Sequence, residues 1–381
     1  MTGTDIDFDK YLIQGEPDSK HRAENWAAAI GLQMVDGLKT SAYLRELAVR
    51  NIEGDITIDE VKHLLDEYYN SKTTRDSEDD SNMEADKVSA NITKILAEDA
   101  FSFIPLELVN LHRLIFEGIF DFAGRIRDIN IRKREWVLAS DSVIYAHKDM
   151  IMPTLEYDFR EEKQYKYYEH TEDEQIAHIA EFISSIWRVH PFGEGNTRTT
   201  AVFLIKYLHS FGFRADIVLY RDNSWFFRNA LVRASYENAN QNILPTTKFV
   251  ENFIRVMSLG ADIKLTNREM HINWPNIEVL DGVKDKINDE NVTVNVLDND
   301  LETAEVLDNV LENVLEKFDL TKTELSVFKF IVTNPKATYE DIALKIGKTP
   351  KTAQRTLARL KKSGNIHRVG SDKNGHWEVI G

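Results

Sequence analysis

No cysteine occurs among the 381 residues. Disulfides, iron–sulfur clusters, thiolate zinc sites and cysteine nucleophiles are therefore excluded. No apolar run approaches the roughly 18 residues that a membrane-spanning helix needs. The start, MTGTDIDFDK, is acidic and has neither the basic nor the apolar region of a secretory signal. These absences lead to the expectation of a cytoplasmic protein with no membrane partner. Positive charge is also scarce, with 47 Lys and Arg against 63 Asp and Glu and a net of −16. Such a total speaks against nucleic acid as a partner unless the charge is unevenly distributed. What is present is core material: 42% of residues are hydrophobic and 10% aromatic, too many for an intrinsically disordered chain. At roughly 150 residues per domain, the length gives two or three domains.

The charge is in fact uneven. Residues 319–381 hold 12 Lys and Arg against 6 Asp and Glu, so the rest of the chain carries −22. Just before that block, residues 298–316 contain seven acids and no base. Composition thus sets a boundary near 318, and five regions follow: a helical N-terminal segment over 1–70, an acidic linker or exposed helix over 71–88, a helix-rich body over 89–260, an acidic connector over 261–318 and a basic domain over 319–381. Within the connector, Leu307, Leu311, Val314 and Phe318 share one stripe of an amphipathic helix. The fold class is mainly α.

The chemistry concentrates in residues 190–199, HPFGEGNTRT, between an amphipathic helix and an apolar one. A loop with two glycines opening onto a helix N-terminus is a ready anion site, because its N–H groups point outward and the helix dipole adds partial positive charge. Arg198 is badly placed for helix stability, since cations belong at the other end, and a bound phosphate would remove that conflict. Glu194 is a hard carboxylate of the kind that holds Mg²⁺ beside a nucleotide phosphate. His190 suits a general base near neutral pH. Asn196 can donate to a phosphate oxygen without adding charge. Each residue alone would also serve a tight interhelical turn. A base, a carboxylate, an anion loop and a cation within one short segment favour function.

This segment resembles the signature of Fic-domain proteins, H-P-F-x-[DE]-G-N-G-R-x-x-R. The resemblance implies an all-helical core with a small β-hairpin flap, and transfer of AMP from ATP to a Ser, Thr or Tyr hydroxyl of a protein, the chain itself included. It implies His190 as the base, Phe192 as the anchor of the loop, and Glu194 as the ligand of Mg²⁺. Gly193, Gly195, Asn196, Thr197 and Arg198 would form the phosphate cradle. Residues 115–130, IFEGIFDFAGRIRDIN, are similar to the helix and turn before the substrate-docking flap, and IRKREWVLASDSVIY, 131–145, sits at the flap. SWFFRNALVRASY, 224–236, resembles the helix that supplies an aromatic near adenine, with Phe227 in that place. Two positions depart from the pattern: Thr197 replaces its second glycine and Ala201 its last arginine, which in the family orients the γ-phosphate.

Residues 26–66 resemble the helical antitoxin that accompanies some Fic toxins, whose glutamate in [ST]-x-x-x-E-G blocks the active site. Here that position falls on Asp36, before Gly37, and the Ser/Thr position on Leu32. Asp36 is therefore the inhibitory candidate, with Arg198 or His190 in its reach, although Asp36-Gly37 also reads as a plain helix stop.

The basic domain reads as a winged helix-turn-helix. Thr338 caps one helix. Thr349 caps the next, with Pro350 at its first position. That helix turns Lys351, Thr352, Gln354, Arg355 and Arg359 outward and Ala353, Leu357 and Leu360 inward, and two strands then flank a wing turn over 370–375. DNA is the partner that this pattern implies, with docking confined to this end and a homodimer expected on palindromic sites. Two further readings stay open: a DNA-binding regulator that uses the body to sense nucleotide, and a phosphotransferase on the same fold.

Overall fold

Helices make up nearly all the regular structure among the described residues. The computed structural model describes residues 6–71, 77–213, 215–274 and, towards the C-terminus, 324, 327, 330–331, 337–345, 348–362, 366–369 and 376–379. The chain divides into two compact units, Met1–Glu278 and Val279–Gly381. No helix among the described residues is long and apolar enough to cross a membrane.

The first unit opens with α1 (Phe8–Gln14), α2 (Pro17–Gly31), a 3₁₀ turn (Leu32–Asp36), α3 (Ala42–Glu53) and α4 (Ile58–Ser71). Then come α5 (Ser77–Ala97), α6 (Pro105–Ile115), α7 (Ile151–Gln164), α8 (Glu172–Val189), α9 (Asn196–Ser210), α10 (Leu219–Ser235) and α11 (Lys248–Leu259). From Asn196 to Leu208 every residue of α9 is buried, as expected of a helix at the centre of a bundle. Its N-terminus therefore opens from the middle of the core.

The N-terminal region is welded to the body. Ala28, Ala29, Leu32 and Val35 belong to the same hydrophobic cluster as the buried faces of α6 to α11. Gly31 makes this possible: a Cβ there would lie 2.4 Å from the Arg221 Cα, so α2 and α10 meet backbone to backbone. The Ser224 hydroxyl donates to the Gly31 carbonyl at 2.7 Å across that contact. A second cluster, with Trp26, Leu44, Leu47, Ile52, Val61, Leu65 and Tyr69, holds α2, α3 and α4 together.

The acidic stretch 71–88, expected as a linker or an exposed helix, is helical from Ser77 onward. The reason is Asp86, which is buried and accepts from the Ser41 amide (2.8 Å), the Ser41 hydroxyl (2.6 Å) and the Tyr69 hydroxyl (2.6 Å). One carboxylate thus ties α3, α4 and α5 into a single element group. The expected β-hairpin of the flap takes another form. Residues 131–145 double back with two backbone bonds across the turn, Glu135 N–H to the Asp141 carbonyl at 2.8 Å and Ser140 N–H to the Glu135 carbonyl at 3.0 Å, and hold no strand ladder. A 3₁₀ turn, Trp136–Leu138, anchors the tip instead, because Val137 and Leu138 are drawn into the core.

The second unit contains α12 (Tyr339–Lys345), α13 (Pro350–Lys362) and an antiparallel pair, β1 (Ile366–Val369) with β2 (His376–Val379), in the register Ile366 to Val379. Thr338 and Asp341 cap α12 reciprocally, and the Thr349 hydroxyl accepts from the Thr352 amide at the start of α13. Ala353, Leu357 and Leu360 are buried with Val327, Ile331 and Ile342, while Lys351, Gln354, Arg355 and Arg359 are exposed. The amphipathic stripe of Leu307, Leu311, Val314 and Phe318 and the wing turn 370–375 lie outside the described residues.

Candidate active site

His190 stands at the junction of α8 and the loop. Its backbone is left-handed, with φ 50°, a conformation uncommon for a residue with a side chain. Arg127 enforces it. Its Nε donates to the His190 carbonyl at 2.7 Å, its Nη2 to the Ala146 carbonyl at 2.6 Å, and its amide to the Pro191 carbonyl at 2.9 Å. One buried guanidinium therefore joins the flap to the loop and aims the imidazole. The His190 Nδ1 lies 3.3 Å from the Trp187 carbonyl, which assigns the proton to Nδ1 and leaves the Nε2 lone pair free. Nε2 is buried without a hydrogen-bond partner. The ring stacks on Tyr145 at 4.1 Å. Burial, and then the nearby charge of Lys133, hold the proton affinity of His190 well below the usual histidine value. The imidazole is thus a neutral acceptor at physiological pH.

Behind it, Phe192 is buried and stacks on His112 at 3.8 Å, so the expected anchor is an anchor. His112 in turn accepts a hydrogen bond from the Gly124 amide at Nδ1 (2.9 Å), and its Nε2 donates to the Glu194 carbonyl (3.1 Å). Burial pushes its pKa down to about 4. Because the folded value lies below that of the unfolded chain, this contribution to stability is complete above pH 6.5 and is lost as pH falls towards 4. Its size is about 3 kcal/mol. Denaturant titrations from pH 7 to 4 should therefore show a slope in the wild type that is reduced in His112→Gln. Equal slopes would refute the assignment.

Gly195 has φ 78°, and a Cβ would lie 2.3 Å from the Phe116 ring, so only glycine fits. Gly193 meets no such limit, its nearest neighbour being Phe122 at 3.9 Å. Asn196 departs from the expected phosphate donor. Its Oδ1 accepts from the Phe192 amide at 3.0 Å and its Nδ2 donates to the Phe192 carbonyl at 2.9 Å. The amide is consumed in closing the loop. The Thr197 hydroxyl accepts from the Trp187 indole at 2.9 Å, a use for a side chain where the family pattern has glycine. Ala201 is fully buried in the core.

A pocket of about 240 Å³ opens here, lined by Asp36, Lys133, Glu135, His190, Glu194 and Arg228 among others. Its charges are paired. Lys133 Nζ contacts Glu194 Oε1 at 2.9 Å, and Arg228 Nη2 contacts the buried Glu135 at 2.8 Å. Arg198, expected in the cradle, is not among the pocket-lining residues and has no exposed side-chain surface. Its Nε meets Asp36 Oδ2 at 2.9 Å, its Nη2 meets Glu84 Oε1 at 2.8 Å, and its Nη1 donates to Gln33 Oε1 at 3.1 Å. Asp36 therefore reaches Arg198 directly. Phe227, expected near adenine, is instead a core residue packed on Tyr220 and Phe253, because its position on α10 faces α11. Its neighbour Arg228 is the one that reaches the pocket.

Glu194 holds its partners through Oε1, which also accepts from the Gly195 amide at 3.3 Å. Among the described residues no group of three or more His, Asp or Glu side chains could cage a metal. A single carboxylate beside a nucleotide's own phosphates is a usual set of ligands for Mg²⁺, so the donor fits an ion that arrives with the nucleotide.

Residues 103–208 match the model of the Fic/DOC family, and residues 315–374 match that of the sugar-specific transcriptional regulator TrmB. The chain thus carries a Fic/DOC domain followed by a TrmB-type winged helix-turn-helix. Fic/DOC domains generally transfer nucleotide or phosphate groups to proteins, and the TrmB-type match suggests DNA binding. No curated protein matches the chain closely enough to mark a relative.

Lys133, Glu135, Arg228, Gln33 and Glu84 did not stand out in the sequence. For the first two a signal exists: in Arg132-Lys133-Arg134-Glu135 the two arginines are exposed and Lys133 and Glu135 turn inward, the period-two alternation of an extended chain.

Proposed function

We propose that the protein transfers AMP from ATP to a hydroxyl of a protein target, its own chain included, under restraint from its N-terminal region. The observation that carries this reading is the buried His190 Nε2, an unpartnered lone pair facing a pocket that also holds Glu194, Lys133 and Arg228. His190 Nε2 takes the proton of the target hydroxyl as its oxygen bonds to the α-phosphorus. The bridging bond between the α- and β-phosphates breaks, pyrophosphate leaves, and the proton passes on to solvent. Tyr145 and Arg127 hold the imidazole in place for this. Glu194 would hold Mg²⁺, which supplies charge neutralisation for the phosphates. Such chemistry depends on positioning and electrostatics, the properties this loop provides.

ATP labelled at the α- or γ-phosphate tests the reading. Transfer of label from the α position supports it, label from the γ position means phosphorylation, and no label from either means a nucleotide sensor.

The tail would direct the enzyme to DNA through α13. Each phosphate contact contributes about −0.9 to the slope of log K against log salt. Arg355→Ala is expected to flatten that slope by about one and to weaken binding alike on all sequences. A slope near zero in the wild type would remove DNA as the partner.

A further inference from the structure

Three cation–carboxylate contacts surround the pocket, and they differ in how freely they can change partners. Arg198 is wholly buried between Asp36 and Glu84. The Arg228 partner, Glu135, has a side chain only 1% exposed. Breaking either contact would leave an unpaired charge in a poorly solvated place, which is strongly unfavourable. Lys133 and Glu194 are different. Their side chains are 31% and 39% exposed, and pairs of that kind contribute little because water can replace either partner. Lys133 also sits on a flexible stem that can move its ammonium without moving the backbone. Its main chain stays fixed meanwhile, since its amide donates to the Ser142 hydroxyl at 3.2 Å.

We infer that Lys133 is an exchanging counter-ion: it neutralises Glu194 while the pocket holds no anion and turns to the phosphates when a polyphosphate enters. This rests on the proposed nucleotide chemistry and assigns its regulation. It follows that Lys133 and a divalent cation compete for Glu194 while Lys133 and the cation both favour the phosphates. Arg228 remains with Glu135 and supplies a fixed positive background. Lys133 therefore selects for polyphosphate over nucleoside.

The test is equilibrium binding to the full-length chain, in the wild type and in Asp36→Ala, with ATP in EDTA and with ATP in Mg²⁺. In Lys133→Met, ATP binding in EDTA should weaken about ten- to a hundredfold, the effect of one charge-assisted hydrogen bond. The gain in affinity that Mg²⁺ brings should grow, because Glu194 no longer has a resident cation. Lys133→Arg should restore both values. A residue that only supported the fold would not move these two readouts in opposite directions. Unchanged ATP affinity in EDTA, or an unchanged Mg²⁺ gain, overturns the inference and leaves the proposed function standing. If ATP binds neither chain, the proposed function fails, and inorganic tripolyphosphate then reads Lys133 alone. Absence of its binding, or binding unmoved by Lys133→Met, overturns the inference as well.

Discussion

His190→Ala should lose α-phosphate label by about 10²- to 10⁴-fold, the usual contribution of a positioned general base. From the junction of α8 and the loop, the imidazole offers the pocket a buried acceptor atom, Nε2, that has no hydrogen-bond partner. Alanine at this position also carries a backbone cost, because φ 50° disfavours a residue with an ordinary Cβ. His190→Asn separates the two effects, since asparagine tolerates the left-handed region. Both variants should lose the label, and His190→Asn should unfold close to where the wild type does. The pH profile gives an independent check. A base whose pKa is held well below 6.5 is already unprotonated at neutrality. Transfer should therefore stay level from pH 8 to pH 6.5 and decline only further down. An acid limb centred at the ordinary histidine value would show that His190 is not the titrating base.

Asp36→Ala should raise self-labelling by about 5- to 150-fold, the range of typical coupling between two sites. Three carboxylates, Asp36, Glu135 and Glu194, line the pocket against two cations, Lys133 and Arg228. An incoming polyphosphate meets a net negative wall, and removing Asp36 balances it. The variant should still fold, because Arg198 keeps Glu84 as a partner at 2.8 Å. Glu84→Ala is the informative comparison. It also leaves Arg198 one carboxylate, but Glu84 is not among the lining residues, so its gain should be smaller. Equal gains in the two variants, or none in Asp36→Ala, would remove Asp36 as the restraint.

The local parts of this protein were legible in its sequence. The glycine loop from His190 onto a helix N-terminus, the capping Thr338 and Thr349, the inward Ala353, Leu357 and Leu360 and the outward Lys351 and Arg355 all follow from spacing and residue type, and the structure places them so. Phe192 was read as the anchor of the loop from the family resemblance, and its ring is buried. Phe227 was misread because helical spacing does not say which face of α10 meets α11. The acids of 77–88 hide the one that is buried, Asp86, whose partners Ser41 and Tyr69 come from the cap of α3 and from α4.

What the sequence determined by itself was the chemistry on offer: a base, a carboxylate and a glycine loop in one run, an acidic body and a basic tail. Tertiary structure decided how those charges are paired. Arg198 looked like the phosphate's cation because it lies in the first turn of the helix that the loop opens onto. Folding brings Asp36, 162 positions away, within 2.9 Å of it and turns the guanidinium into buried structure. Lys133 and Arg228, on a flap and on a later helix, face the pocket instead. Coulomb energy depends on distance through space and on burial, and neither is written in the order of residues along a chain.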